Sequence, residues 1–304
     1  MTPAPRPDSS VSRSALAVAP AALTLANALA GLWAVAVIVG YGEAAAMGDR
    51  LVTAAALVGA AMVCDALDGL AARATGTASA FGARLDAMAD TVSFGVAPAV
   101  LALVLVQHAW PGDLGRRVAL AVGMIYLSAA VLRLARFQVE QAPEAADRGK
   151  ARGYFRGLPT PGAAAAVVLT PVAFAELGPS PAMPLPGEEG SLPGSLPGSL
   201  PGAGVGAGAC LVVAVLAAGL MVSRWRYPHL VTQGIRRRAT FRHMLGLAAA
   251  VAAMAVWPLG AITAAAWVYL AWGPAAAIVR LGRRTRRRGE TSDETSGDSA
   301  TSPA

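Results

Sequence analysis

Four aspartates stand inside apolar stretches of this 304-residue chain, where charged side chains are costly. They are Asp65, Asp68, Asp86 and Asp90. One Asp at the middle of a membrane helix costs about 2.5 to 3.5 kcal/mol, so four uncompensated ones cost on the order of 10 kcal/mol. A compensating charge must therefore lie beside them.

The spacing of the aspartates places each pair on one face of a helix. Asp65 and Asp68 are three residues apart, and Asp86 and Asp90 are four apart. Residues at these separations are neighbours on a helix surface. A short linker makes the two helices antiparallel neighbours, so their carboxylates converge. Hard divalent cations take oxygen ligands, and two such cations would neutralise four carboxylates.

Small residues and arginines flank the aspartates. Gly69, Ala72 and Gly82 leave room for a ligand to lie against the helices, and Arg73 offers a planar guanidinium to an anion. The alternative is that the aspartates only pair with Arg73 and Arg84 at the membrane edge. Two cationic side chains do not balance four anionic ones, so this alternative leaves charge uncompensated.

The elements that position these residues are predicted to be membrane helices. The chain is 55% hydrophobic and 14% charged, with a mean hydropathy of +0.53, which excludes an ordinary soluble domain. Its long apolar runs predict an all-α polytopic membrane protein with about eight transmembrane helices. Their approximate ranges are 21–40, 51–72, 85–107, 118–136, 159–177, 207–223, 242–257 and 261–280.

Lys and Arg fall almost entirely in alternate loops of this eight-helix scheme. With a cytoplasmic N-terminus, 22 of the 25 Lys and Arg lie on the cytoplasmic side. The positive-inside rule therefore predicts that both termini, and the ends of the aspartate-bearing helices, face the cytoplasm at the cell membrane. The same rule accounts for the net charge of +7, so no nucleic acid partner is indicated.

Composition divides the chain into three parts. Residues 1–14 are predicted to be a disordered N-terminus, 15–281 the transmembrane domain that carries the aspartates, and 282–304 a polybasic and then acidic disordered tail. The Pro- and Gly-rich residues 178–206 are predicted to form a flexible external loop. The polybasic residues 283–288 fit either anionic membrane lipids or a simple flank of the last helix.

The aspartate region resembles the CDP-alcohol phosphotransferase family, whose signature is D-x-x-D-G-x-x-A-R, eight residues, and then G-x-x-x-D-x-x-x-D. Every fixed position matches, at Asp65, Asp68, Gly69, Ala72, Arg73, Gly82, Asp86 and Asp90. The resemblance implies an integral membrane homodimer with a six-helix core, followed here by two C-terminal helices. It also implies two divalent cations, Mg²⁺ or Mn²⁺, and a CDP-linked lipid donor.

The same resemblance implies roles for individual residues. Asp65, Asp68 and Asp86 are expected to be metal ligands, while Asp90 is expected to bind metal and to act as the general base. The residues expected to bind the CDP group are Gly69, Ala72, Arg73, Gly82 and, in the first span, Asn27.

Flanking segments resemble those family members that transfer a phosphatidyl group from CDP-diacylglycerol to L-serine. These segments are 24–27, 93–98, 132–137, 157–161 and 226–228. The implied reaction is metal-assisted attack of the serine hydroxyl on the β-phosphate, which releases CMP. The serine carboxylate calls for an arginine fork, and the candidates on the cytoplasmic side are Arg136, Arg133 and Arg156.

Two other functions stay open at the level of sequence. An enzyme of the same superfamily would use glycerol 3-phosphate or an inositol phosphate as acceptor, and such acceptors need more positive charge than serine does. A cation transporter would use the aspartates as an ion site. A transporter, however, does not need small residues at nucleotide-accommodating gaps, and it typically has two half-chain repeats, which this sequence does not show.

Overall fold

The computed structural model describes residues 9–41, 46–76, 79–141, 154–177, 203–228 and 256–297. A π-helical turn, Thr91–Val96, joins two of its helices without a break. Two short strands are β1 (Tyr154–Arg156) and β2 (Arg226–Pro228). The helices are α1 (Ser9–Val39), α2 (Met47–Thr75), α3 (Ala80–Asp90), α4 (Ala97–Ala109), α5 (Asp113–Gln141), α6 (Thr160–Leu177), α7 (Ala203–Val222) and α8 (Pro258–Gly297).

Six helical stretches in the described ranges are long and apolar enough to cross a membrane, so the chain is a multi-pass membrane protein. They coincide with six of the eight predicted spans, and the all-α class is confirmed. The span at 159–177 corresponds to α6, whose apolar part, Thr160–Ala175, is shorter than the others. The span at 242–257 lies outside the described residues except for its last two positions, so the count of eight stays a prediction.

The ends of the chain differ from the sequence expectation. α1 begins at Ser9, within the segment 1–14, and α8 continues to Gly297, through most of the tail 282–304. Lengthening an existing helix needs no new nucleus, so both helices extend past their apolar parts. In α8 the extension is rich in Arg, a good helix former. The loop 178–206 lies outside the described residues up to Ala203, where α7 begins. The division into domains stays a prediction.

The turn between α2 and α3 sets the direction of the two aspartate-bearing helices. α2 is capped by Gly76, whose φ of 66° is left-handed and whose N–H donates to the carbonyl oxygen of Ala72. α3 starts after Ser79, whose hydroxyl accepts a 3.0 Å hydrogen bond from the N–H of Gly82. Glycine tolerates the left-handed region and serine is a favoured N-cap, so the local sequence ends one helix and starts the next.

α1 is the helix that holds the aspartate-bearing elements together. It packs along α2 and also against α3 and the π-helical turn. By contrast, α2 and α3 make few close backbone approaches to each other. The short linker predicts that α2 and α3 pack directly against each other. Instead, their aspartate-bearing faces meet across a gap beside α1.

The π-helical turn after Asp90 carries buried side chains into the bundle, among them Ser93 and Phe94. Such turns disturb the regular backbone ladder and occur often at functional sites. Here the hydroxyl of Tyr126 on α5 donates to the carbonyl oxygen of Phe94 at 3.0 Å. Pro98 stands in the first turn of α4, where the missing N–H is tolerated.

α6 is an enclosed helix that contacts α2, α7 and α8. Its alanines and valines are mostly buried, and small residues let helices approach closely. A Cβ at Gly162 would lie 2.7 Å from the ring of Tyr269 on α8. The indole N–H of Trp267 on α8 also donates to the hydroxyl of Thr170 at 3.0 Å. These contacts attach α8 to the core.

The structure also contains a small antiparallel ribbon of two strands, which was not predicted from the sequence. β1 pairs with β2, with Phe155 opposite Tyr227. The segments before α6 and after α7 meet at one end of the bundle, where their backbone groups need partners. Tyr227 is buried, and its hydroxyl donates to the carbonyl oxygen of Leu270 in α8 at 3.2 Å.

A Gly31→Ala substitution is expected to destabilise the protein. A Cβ at Gly31 would lie 2.6 Å from Cα of Ser93, so α1 and the π-helical turn would have to separate. We expect a loss of about 1 to 3 kcal/mol in unfolding free energy, the usual cost of overpacking. Thermal unfolding in detergent measures the change. The matched control is Gly59→Ala in α2, where a Cβ would meet nothing within 4 Å. Equal melting temperatures for the two variants would contradict the close packing.

Candidate active site

Three carboxylates meet between α2 and α3. One oxygen from each of Asp65, Asp68 and Asp86 lies within 4.8 Å of the other two. Asp68 is buried, and the other two are partly buried. Like charges this close, shielded from water, repel one another strongly. A bound cation would offset this repulsion. We call these three carboxylates the metal-binding cluster.

The oxygens of the metal-binding cluster fit a hard divalent cation. Oδ1 of Asp86 is buried and has no hydrogen-bond donor among the residues that the structure describes. A buried carboxylate oxygen without a donor is unfavourable, and a coordinated cation relieves this cost. Carboxylate oxygens are also the ligands that Mg²⁺ and Mn²⁺ prefer. The cluster is therefore a candidate divalent-metal centre.

Asp90 stands apart from the other three aspartates. It is 7% exposed, and its Oδ1 accepts a 3.0 Å hydrogen bond from Nδ2 of Asn27. Among the described carboxylates it does not join the group within 4.8 Å, although it is near enough to Asp65 and Asp86 to be repelled by their charge. The sequence pattern assigns four aspartates to the metal, and the structure brings three of them together.

α1 supplies a hydrogen-bond donor to two of the aspartates. Besides the Asn27 contact, Oγ1 of Thr24 donates to Oδ2 of Asp68 at 2.8 Å. The sequence assigns Asn27 to the CDP group, whereas the structure places its side-chain amide against Asp90. Thr24 lies in the segment 24–27 that resembles the family, but no site role was predicted for it. The available signal was its spacing of three from Asn27, which puts two polar side chains on one face of an apolar helix.

Arg133 on α5 is a buried cation next to the aspartates. Its Nη1 donates to Oγ1 of Thr160 at 3.0 Å, and its guanidinium carbon lies 5.0 Å from the centroid of the Phe137 ring. It is close enough to Asp65 and Asp90 to attract both electrostatically. A fixed positive charge at this place favours an anionic ligand beside the metal-binding cluster.

A cavity of about 400 Å³ opens beside Arg133, between the C-terminal ends of α5 and α7. Arg136 is exposed there, and its Nη1 donates to the carbonyl oxygen of Val222 at 3.0 Å. Arg156, the third predicted acceptor residue, lies in β1, and its side chain is outside the described part of the chain. The lining residues are Arg133, Arg136, Phe137, Glu140, Met221, Val222, Ser223 and Arg224. Glu140 and Arg224 were not among the site residues predicted from the sequence.

Comparison with known proteins identifies the family of the chain. The family model described as CDP-alcohol phosphatidyltransferase matches residues 17–185, which is more than half of the chain. The chain belongs to the CDP-alcohol phosphatidyltransferase family. The matched region contains most of α1 and all of α2 to α6, and with them all four aspartates.

Several curated relatives bear the name CDP-diacylglycerol–serine O-phosphatidyltransferase. The one from Mycobacterium tuberculosis is 34% identical over 153 residues, which are 50% of this chain and 48% of the relative. The one from Helicobacter pylori is 38% identical over 120 residues, 40% of this chain and 46% of the relative. The one from Saccharomyces cerevisiae is 38% identical over 104 residues, which are 33% of this chain and 34% of the relative. The chain thus spans about half the length of the bacterial relatives.

The other signature residues of the CDP-alcohol phosphatidyltransferase family lie beside the aspartates on α2 and α3. Arg73 is exposed, and its Nε donates to the carbonyl oxygen of Gly69 at 2.8 Å. A Cβ at Gly69 would meet only the guanidinium of Arg73, at 3.7 Å. Ala72 and Gly82 are partly exposed. This side of the helices is open, as binding of a ligand next to the aspartates requires.

Proposed function

We propose that this protein is an enzyme that transfers the phosphatidyl group of CDP-diacylglycerol to L-serine, giving phosphatidylserine and CMP in phospholipid biosynthesis. The proposal depends on one observation, the three carboxylates within 4.8 Å of one another, with Asp90 and Arg133 beside them. This arrangement suits a diphosphate and an attacking hydroxyl. The donor and the acceptor are those in the names of the relatives from Mycobacterium tuberculosis and Helicobacter pylori.

Asp65, Asp68 and Asp86 are the proposed ligands of two divalent cations, Mg²⁺ or Mn²⁺, with Asp90 at their edge. Bound cations would neutralise the donor diphosphate and stabilise the charge on the departing CMP. Thr24 orients Asp68 through its hydroxyl, and the Oδ1 atom of the partly buried Asp86 is itself shielded from water. The protein thus fixes the carboxylates before the substrates bind.

Asp90 is the proposed general base. The hydrogen bond from Asn27 fixes its orientation, and a carboxylate within reach of a hydroxyl can take the proton in the transition state. The serine oxygen forms a bond to the β-phosphorus, and its proton passes to Asp90. The bond from that phosphorus to the CMP oxygen breaks, and its electron pair leaves with CMP. Positioning and charge neutralisation account for most of the catalysis.

Gly69, Ala72, Arg73 and Gly82 are the proposed contacts of the CDP group. The absence of a side chain at Gly69 and Gly82 lets a flat base and its ribose approach the helix backbone. The exposed Arg73 offers its guanidinium to the donor phosphates from the same side.

The cavity between α5 and α7 is the proposed serine site. Serine carries a carboxylate and an ammonium, and the cavity offers arginines to the first and Glu140 to the second. We assign the carboxylate to Arg133 and not to Arg136, because Arg133 is buried near Asp90 and a shielded charge-assisted hydrogen bond is stronger. Arg156 is a further proposed contact, from β1.

An Arg133→Lys substitution is expected to raise the KM for serine. Lysine keeps the charge and loses the planar fork, and the loss of one hydrogen bond to a charged group corresponds to about 10- to 150-fold in kcat/KM for serine. For the exposed Arg136→Lys we expect at most about 5-fold. Steady-state kinetics with each substrate varied separately measure both effects, with Arg116→Lys in the exposed ion pair with Asp113 as control. A larger effect at Arg136 would reverse the assignment.

A phosphorylated acceptor is the second candidate. Arg133, Arg136 and Arg224 line one cavity, and three positive charges also suit the phosphate of glycerol 3-phosphate or of an inositol phosphate. The reaction class and the metal-binding cluster would be the same. Glu140 in the same lining disfavours an acceptor that carries only negative charge.

The direct test is an acceptor panel. Purified full-length protein is incubated with CDP-diacylglycerol, Mg²⁺ or Mn²⁺, and one acceptor at a time: L-serine, glycerol 3-phosphate or inositol phosphate. We expect metal-dependent CMP release and a phosphatidylserine product with serine alone. CMP release only with a phosphorylated acceptor would favour the second candidate, and no CMP release with any acceptor would contradict the proposal.

Orientation and assembly are also proposed here. The positive-inside distribution of Lys and Arg supports cytoplasmic termini and a cytoplasmic active site in the cell membrane. The family resemblance supports a homodimer. Labelling of single cysteines introduced near Glu140 and near Gly112 by an impermeant reagent, in intact and opened cells, tests the orientation of the two ends of α5.

A further inference from the structure

We propose that α1 positions the catalytic carboxylates through two separate hydrogen bonds: Asn27 orients Asp90 for proton transfer, and Thr24 orients Asp68 for the metal. The inference rests on the proposed function, in which Asp90 is the base and Asp68 a metal ligand. Neither residue carries charge or reacts. Each acts through the carboxylate that it contacts, and the two effects are separable.

Asn27 is held on both sides. Its side chain is fully buried, and Nδ2 donates to Oδ1 of Asp90 at 3.0 Å. Its backbone carbonyl oxygen accepts from Oγ of Ser93 at 2.8 Å, so the π-helical turn after Asp90 fixes the same residue. Asn27 therefore binds Oδ1 of Asp90 and fixes the plane of the carboxylate, which makes Oδ2 the proposed proton acceptor.

Thr24 acts on a different carboxylate. It is 5% exposed, and Oγ1 lies 2.8 Å from Oδ2 of Asp68 and 3.0 Å from the carbonyl oxygen of Pro20. The hydroxyl has one proton, and the charged carboxylate is the stronger and nearer acceptor. Because Asp68 belongs to the metal-binding cluster and Asp90 does not, loss of this bond should change metal affinity and leave the base in place.

The experiment compares three variants of the full chain in lipid nanodiscs, Asn27→Leu, Thr24→Val and Thr170→Val. Two quantities are measured for each: steady-state CMP release, and Mn²⁺ affinity without substrates, from the electron paramagnetic resonance signal of free Mn²⁺. For Asn27→Leu we expect kcat to fall about 10- to 150-fold, the range for loss of a hydrogen bond to a charged group. Its KM values and its Mn²⁺ affinity should stay at the wild-type level.

Thr24→Val should show the opposite pattern. We expect its Mn²⁺ affinity to fall about 10- to 100-fold, the range for loss of a partner that orients a metal ligand. At saturating Mn²⁺ its kcat should match wild type. Thr24→Ser, which keeps the hydroxyl, should restore the affinity.

Thr170→Val is the structural control. It removes a hydrogen bond between two other helices, from Trp267 on α8 to the buried Thr170 on α6, and touches neither α1 nor a carboxylate. We expect a lower melting temperature and a kcat near wild type. A parallel fall of kcat in Thr170→Val and Asn27→Leu would reduce the role of Asn27 to packing and overturn the inference, as would equal loss of Mn²⁺ affinity in Asn27→Leu and Thr24→Val.

Two further measures keep the test decisive. If Asn27→Leu does not fold, the exchange Asn27→Asp with Asp90→Asn retains an amide–carboxylate pair. Turnover is expected to be lost in this exchange, and wild-type turnover in it would overturn the inference. If the wild type releases CMP with an acceptor other than serine, the same comparisons are made with that acceptor. Failure of the serine proposal is thereby distinguished from failure of the positioning roles.

Discussion

Asp90→Asn is expected to abolish turnover while CDP-diacylglycerol still binds. The substitution removes the proposed base, and general bases contribute about 10²- to 10⁴-fold to rates, so CMP release should fall by that range. The introduced amide oxygen can still accept the hydrogen bond from Asn27, so local structure should persist. CMP release is followed by chromatography, and donor binding by titration of the protein in nanodiscs.

Asp113→Asn is the matched control for this experiment. Asp113 is exposed at the start of α5, where it pairs with Arg116 at 2.7 Å, and we expect its removal to leave turnover unchanged. CMP release near the wild-type rate from Asp90→Asn would remove Asp90 from its role. A loss of donor binding equal to the loss of turnover would instead make Asp90 mainly a metal ligand.

Asp68→Ala is expected to weaken metal dependence and donor binding together. It deletes a carboxylate of the metal-binding cluster. Loss of a residue that only orients a metal ligand costs about 10- to 100-fold in metal affinity, so the Mn²⁺ concentration for half-maximal activity should rise by more than this. Without substrate, Mn²⁺ should raise the melting temperature of the wild type, because a ligand bound only by the folded state stabilises it. This rise should disappear in Asp68→Ala.

The control for Asp68→Ala lies in the same helix. Asp49 is exposed in the first turn of α2, far from the metal-binding cluster, so Asp49→Ala should keep the wild-type response to Mn²⁺. Metal titrations of Asp68→Ala that match wild type, in activity and in melting temperature, would contradict the metal-centre interpretation.

The sequence predicts those features that depend on residues close together in the chain. Apolar runs locate six of the helices, because a bilayer requires about 20 apolar residues in a row. The convergence of carboxylates from two helices is predictable as well, since three- and four-residue spacings fix a helix face and each buried charge is costly. The same spacings predict a group of four, whereas the structure groups Asp65, Asp68 and Asp86 without Asp90.

Contacts between distant segments are the part that a single sequence does not reveal. Asn27 and Asp90 are 63 residues apart, and Thr24 and Asp68 are 44 apart. Arg136 contacts Val222, which is 86 residues away in the chain, so no pattern within one segment predicts the cavity that they line. Helical periodicity states which face a residue occupies, whereas the helix opposite that face depends on the packing of the whole bundle.

The short α6 has a consequence for how two dissimilar molecules meet. Its apolar part, Thr160–Ala175, extends about 24 Å at 1.5 Å per residue, against about 30 Å of bilayer hydrocarbon. α6 packs against α2, α7 and α8, so side chains of these helices would cover the missing length. With the missing length at the Thr160 end, where Arg133 donates to the Thr160 hydroxyl, that end would lie below the membrane surface. In the proposed reaction the water-soluble amino acid would enter this recess from the aqueous side. The lipid donor would enter laterally, with its acyl chains still in the bilayer. Neither substrate would then have to leave the medium in which it dissolves.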